Sequence, residues 1–215
     1  MTARLLSVNA GRAVAAIYGN QPGGRTAIDK RPVAGQVALY HLGVTVDEQV
    51  HASHGGIDKA VYAYAREDAL WWERELGREI TPGGFGENLT TEGTDVNGAE
   101  IGERWRIGSV VFEVSEPRIP CKVFAGFWDV PDLVKRFADR GWPGAYLRVV
   151  TEGALAAGDP IEVVQRPGHG VTVAEVFRAR TGERDLVPRL FDATQLPAPW
   201  HDWAHRVLGT SARGA

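Results

Sequence analysis

A single cysteine, Cys121, stands in a chain of 215 residues. Its setting is Glu116-Pro117-Arg118-Ile119-Pro120-Cys121-Lys122. Each proline fixes φ and turns the residue before it away from helix, so the backbone runs extended up to the thiol. Arg118 and Lys122 place positive charge on either side. Cations beside a thiol favour the thiolate, the form that attacks or binds metal. A lone cysteine is also commonly no more than a small buried hydrophobe, so the other polar clusters must decide. One cysteine rules out an intramolecular disulfide and a cluster that needs several thiolates.

A second constellation is His51-Ala52-Ser53-His54-Gly55-Gly56-Ile57-Asp58-Lys59. Gly55-Gly56 permits close backbone approach. With His54 and Lys59 the pair can cradle an anion through N–H groups and cations. An ordinary turn before a strand is the plainer reading. His51, His54 and Asp58 have metal-ligand side chains, but no helix or second cluster supports them. A third stretch, Pro82 to Thr91, is rich in glycine and carries Glu87 and Asn88. It reads as backbone approached closely by a ligand, or as a plain loop.

Composition narrows the classes. A net charge of −3, with basic residues scattered, argues against a general nucleic-acid or membrane-surface binder. No apolar run approaches a membrane span. The N-terminus has no signal-peptide pattern, which reads as a cytoplasmic protein. Neither GxGxxG nor a Walker loop is present, so electrons for any redox chemistry are expected from another protein or a diffusible donor.

The elements that position these residues are mostly short strands. Leu5 to Val8, Ala13 to Tyr18, Arg25 to Val33, Gln36 to Tyr40 and Ala60 to Tyr64 are separated by glycine and proline, with a turn at Asn20 to Gly24. This spacing predicts a barrel or sandwich rather than βαβ units. Ala69, Trp72 and Leu76 predict a helix over 66–76 capped by Gly77. A hairpin is expected over 105–114, a helix over 131–140, and strands over 146–150 and 161–164. Composition changes at Arg166-Pro167-Gly168. Thr172 and Glu175 have capping-box spacing, and three short helices are expected between there and Leu208. The expected organisation is a mainly β, α+β chain: a barrel over 1–167 and a three-helix appendage over 168–210.

Taken together, three stretches resemble the MOSC family, the molybdenum-cofactor sulfurase C-terminal domain. They are His54 to Tyr62, Gly84 to Thr90 and Pro117 to Cys121; the run around Lys30 is similar to a lysine-bearing strand of the family. The C-terminal helices are similar to those of bacterial stand-alone members. Family members often carry an aromatic residue directly after the cysteine; Lys122-Val123 stands here. The glycine often found before the acidic position, Asp47, is replaced by Val46.

The resemblance implies a β-barrel and a molybdenum cofactor, Mo-molybdopterin, ligated by Cys121. Its phosphate would be held by Lys30, Lys59 and Arg118, and its pterin edge by Glu87 and Asn88. Gly55, Gly56, Asp58 and Gly86 complete the expected cofactor set; His54 would supply a proton or simply bond the loop. Pyridoxal phosphate is not expected. The implied reaction is two-electron reduction of N-hydroxylated compounds, such as hydroxylaminopurine-type bases, with a separate electron-donor protein. A homodimer is an open arrangement. The alternative readings are a sulfur or cofactor carrier acting through Cys121, and an interaction protein in which Cys121 is inert.

Overall fold

The structure, a computed structural model, describes residues 2–16, 18, 24–50 and 55–209. Its frame is one eight-stranded sheet ordered β13-β9-β10-β11-β7-β8-β1-β4. In that order the strands are Ile161–Gln165, Arg104–Ile107, Val110–Pro117, Ala145–Thr151, Val61–Ala65, Leu89–Glu92, Arg4–Ala10 and Arg31–Pro32. A three-stranded sheet orders β12 (Gly153–Leu155), β5 (Val37–Tyr40) and β6 (Gly43–Val44), and β2 (Val14–Ala15) pairs with β3 (Arg25–Thr26). The class is α+β, as the sequence predicts. The main sheet curls without closing its ladder: β1 meets the start of β13 through an isolated bridge, Arg4 to Pro160. Leu5 N–H donates to Asp159 O at 2.9 Å, and Ile161 N–H to Ala3 O at 3.0 Å, across that seam. Proline at 160 cannot donate to a ladder, so it suits a seam with few bonds.

One βαβ unit is present, against the all-hairpin expectation. β7 runs into helix α1 (Arg66–Leu76), and β8 returns parallel to β7 with Ala63 opposite Leu89. All five residues of β7 are buried, as expected for a strand covered on both faces. The glycine-rich stretch after α1 is therefore a crossover connection that ends in a strand. Asp68, in the first turn of α1, is 9% exposed and accepts from Asn97 Nδ2 at 2.6 Å. Burial, above all, pushes its carboxyl from 3.8 up to about 6, with Asp95 and Glu67 adding to the effect. Folding thus favours the protonated form: this contribution is full below pH 3.8 and is lost as pH rises through about 6. Asp68→Asn is expected to raise stability at pH 8 by at most about 3 kcal/mol. Denaturant melts should show the gain vanish near pH 4.

Helix α2 (Lys122–Trp128) begins directly after Cys121 and buries Val123, Phe124 and Ala125. The sequence predicts no helix here, because a glycine, a valine and aromatics are poor helix formers. Tertiary packing overrides that preference. Phe124, Phe137 of α3 (Leu133–Arg140), Trp72, Tyr64 and Phe85 form a compact aromatic cluster. Phe85 and Phe124 meet edge to face at 5.1 Å, and Trp72 stacks on Phe137 at 5.6 Å.

The C-terminal segment is α4 (Val173–Thr181), a 3-10 helix (Arg184–Asp192) and α5 (Ala198–Leu208). Thr172 Oγ1 accepts from Glu175 N–H at 3.2 Å, the predicted cap. Val176, Leu190, Trp200 and Ala204 join the same buried cluster as Leu5, Trp105 and Phe112 of the sheet. No helix among the described residues is long and apolar enough to cross a membrane.

Candidate functional site

The stretch before Cys121 is set by β10 and a break in its pairing. The register with β11 shifts between Val114 and Glu116; such a bulge bends a strand and re-aims the side chains after it. Two residues on, Arg118 turns back over the aromatic cluster. Its guanidinium carbon lies 4.1 Å from the Phe124 ring centroid and 5.7 Å from that of Tyr62. Arg118 is 6% exposed, and its Nη1 has no hydrogen-bond partner among the described residues. A buried cation in that state is costly.

Arg118 and Cys121 line one cleft with Lys30, Asp47, Gln49, Lys59, Tyr62, Gly86, Asn88 and Tyr146 among its walls. Its empty space is about 710 Å³ including the part open to solvent. Gly86 has φ +82°, and a Cβ there would stand 3.2 Å from Ile28 Cγ1, so both the backbone conformation and the contact with Ile28 favour glycine at this point of the wall. Burial pushes the Tyr146 hydroxyl up to about 12 against the pull of Arg118, and holds Tyr62 well above its ordinary value. Both phenols therefore keep their protons at neutral pH. Tyr62 donates its proton to Pro143 O at 2.8 Å.

Lys30 is buried, and its Nζ is 2.5 Å from both oxygens of Asp47. Asp47 also accepts from Gly11 N–H at 2.7 Å and Asn88 Nδ2 at 2.8 Å. Asn88 Oδ1 accepts from Tyr62 N–H at 3.1 Å. The Lys30 charge is thus matched by Asp47, and Arg118 and Lys59 are the further cations that line the cleft, with Glu48 as the further acid. Cys121 also borders a shallow apolar groove of Pro120, Ala125, Val130, Pro131 and Val134 on its outer side.

The MOSC domain family matches over residues 50–162, more than half of the chain, including Lys59, Arg118 and Cys121 of this cleft; the Lys30 and Asp47 wall lies before the match. The chain belongs to the MOSC domain family. It is 35% identical over 181 residues to the protein YflK of Bacillus subtilis, covering 81% of each chain. It is 33% identical over 183 residues to the protein YiiM of Escherichia coli, again covering 81% of each. A reductase of Gibberella moniliformis is 34% identical over 200 residues; that match takes 90% of this chain and 35% of the reductase. Among solved structures, YiiM from Geobacillus stearothermophilus superposes with a TM-score of 0.80 at 30% identity, covering 96% of this chain and 99% of that one.

Within this MOSC chain the expected site residues separate into three groups. Cys121, Lys30, Lys59, Gly86, Asn88 and Arg118 line the cleft. Glu87 does not: its carboxylate is spent inside its own turn, accepting from Gly83 N–H at 2.7 Å, Phe85 N–H at 3.0 Å and Thr90 Oγ1 at 2.8 Å. Burial pushes that carboxyl up, and the three donors offset the cost of keeping it there. Asp58 also turns elsewhere, pairing with Arg148 at 2.6 Å. Asn88, expected at a pterin edge, orients Asp47. Gly56 has φ +91° and opens the 3-10 turn Ile57–Lys59, while Gly55 packs on the side chain of Gln49 at the rim. His51 and His54 lie outside the described residues. Among the described residues no group of three or more His, Cys, Asp or Glu is placed to hold a metal ion.

Sequence reasoning missed Asp47 as the Lys30 partner, and Tyr62 and Tyr146 as walls. Asp47 carries no local signal, because its partner is 17 residues away, in the connection just before β4. Tyr62 and Tyr146 become neighbours only through the β7–β11 pairing, where they stand opposite each other.

Proposed function

We propose that this MOSC protein holds a molybdopterin-type cofactor in the Cys121 cleft and reduces N-hydroxylated small molecules to amines. The observation that carries the reading is the buried Arg118 guanidinium, with Nη1 unpartnered among the described residues, in the same cleft as the chain's one thiol. A buried guanidinium with an unused donor suits an anion, and a phosphate matches its fork. The donor set fits as well. A soft metal whose other ligands arrive with its cofactor needs one thiolate from the protein, and Cys121 is the thiol available.

In this reading Arg118 and Lys59 bind the phosphate, Cys121 ligates the molybdenum, and Tyr146 offers a phenolic proton at the cleft wall. When bound, the cofactor supplies the two-electron redox chemistry. The chain's residues orient it and present the substrate. The apolar groove outside Cys121 receives the substrate's ring, and His54, one residue before the rim glycine Gly55, is assigned the proton that the leaving water requires. Electrons come from a separate donor protein. The relative named a reductase supports the reductive reading, and this chain corresponds to 35% of that protein.

The test is metal and pterin content in a host that makes the cofactor. Wild type is expected to carry molybdenum near one equivalent. Cys121→Ala should lose nearly all of it, a drop of at least about tenfold. Loaded wild type should then turn over hydroxylaminopurine-type bases with an artificial reductant. Metal and pterin without turnover would favour the carrier reading. A wild-type protein that takes up neither, even when offered free cofactor, overturns the proposal.

A further inference from the structure

The C-terminal helix reaches the cleft through one polar chain. Trp200 on α5 is 8% exposed and Glu116 on β10 is 6% exposed. Trp200 Nε1 donates to Glu116 Oε2 at 2.7 Å. The other carboxylate oxygen, Oε1, lies 3.9 Å from Lys59 Nζ. Lys59 lines the cleft, and its ammonium stands 5.8 Å from the centroid of the Tyr146 ring in the same wall. Helix, strand and 3-10 turn are thus joined, and the last member faces the thiol's cleft.

A buried carboxylate is a costly way to satisfy one indole N–H, which a backbone carbonyl would serve as well. The arrangement gains meaning from its second oxygen. Burial favours the neutral form of Glu116, while Lys59 and the Trp200 donor favour the ionised form. Removing the indole donor takes away one of the contacts that hold the Glu116 carboxylate in place, and with it the position of the oxygen 3.9 Å from Lys59 Nζ.

We propose that Trp200 is a positioning residue for the cleft: acting through Glu116, it sets where Lys59 stands on the wall, so that the C-terminal helix completes the anion site. The consequence for anion binding rests on the proposed function above; the coupling of Trp200 to Lys59 does not.

Limited acetylation of the full-length chain, read residue by residue by mass spectrometry, measures Lys59 directly. Lys135, whose side chain is 79% exposed, is the internal reference. Trp200→Phe and Glu116→Gln should each raise the Lys59 rate roughly three- to tenfold, the scale of one charge-assisted contact. The double variant should show no further rise, because both changes break one chain. An unchanged Lys59 rate in Trp200→Phe, or an equal rise on top of Glu116→Gln, overturns the proposal. If Trp200→Phe loosens the whole fold, seen as faster labelling of buried Lys30, the isosteric Glu116→Gln decides, and an unchanged Lys59 there overturns it.

Calorimetric titration with inorganic pyrophosphate gives the second arm. Trp200→Phe is expected to weaken binding roughly threefold or more, and to have no effect in a Lys59→Met background. Equal weakening in both backgrounds assigns Trp200 a general structural role and overturns the proposal. If wild type binds no pyrophosphate, the anion reading of the cleft falls, while the labelling result still decides the coupling.

Discussion

Arg118→Met is expected to make the cofactor-free protein more stable and far poorer at holding an anion. The two effects have one cause. The guanidinium is buried with Nη1 unpartnered among the described residues, and its main contacts are ring faces. Replacing such an ion by an apolar side chain of similar volume commonly stabilises by about 1–4 kcal/mol. Methionine keeps contact with Phe124 and Tyr62 through a polarizable thioether. For a chain of this size each kcal/mol is worth about 2–4 °C, so scanning calorimetry should show a higher Tm. The same change removes a bidentate charged donor from the cleft. Pyrophosphate or pterin-phosphate affinity should fall by about 100-fold, the scale of 3 kcal/mol. Arg118→Lys should recover only part of this, since an ammonium lacks the fork. A lower Tm with unchanged anion affinity would assign Arg118 to packing alone and remove the main support for the proposed function.

Asp47→Ala should be the most destabilising polar substitution near the cleft. It takes away the carboxylate that meets Lys30 Nζ at 2.5 Å through both oxygens, and it orphans Gly11 N–H. Lys30 and Asp47 have side chains only 9% and 4% exposed, so water cannot replace what is lost. Removing one partner of a buried pair costs about 3–5 kcal/mol, which lowers Tm by about 10 °C. Lys30→Met combined with Asp47→Asn should recover much of that loss. The double variant removes the charge that was stranded and leaves an amide oxygen for Gly11. Urea melts of the single and double variants check both statements. Near-equal destabilisation by the single and the double variant would mean that Asp47 acts through the backbone of residue 11 rather than through Lys30.

Legibility followed the range of the physical signal. Elements with local signals were readable: α1 carries its apolar period and a glycine cap, and α4 carries Thr172 and Glu175 at capping distance. The thiol and its flanking Arg118 were also legible, since their chemistry is written in adjacent residues. Signals that arise between distant segments were not. Helix α2 is held by Phe124 inside an aromatic cluster that no local preference encodes. The parallel return of β8 beside β7 depends on a crossover, and its glycine-rich lead reads as loop. Glu87 and Asn88 show the same limit at the site. The type of each suits a ligand edge; Glu87 is turned inward by a local turn whose geometry its residue types do not announce, and Asn88 by Asp47, 41 residues away.

The seam at β1 bears on the order in which the chain is made. Residues 4–10 are made well before β8, their neighbour some 80 positions later, and before the 158–161 turn that borders the start of β1; β4 borders only Asn9 and Ala10. Its apolar side chains must wait for most of the polypeptide before they are covered. Pairing across such long separations is slow and leaves strand edges open in the meantime. The cleft shares that schedule, because its walls run from Thr26 to Tyr146 and stand on the same sheet. The pocket therefore takes shape only once the segment that carries Tyr146 has joined the sheet.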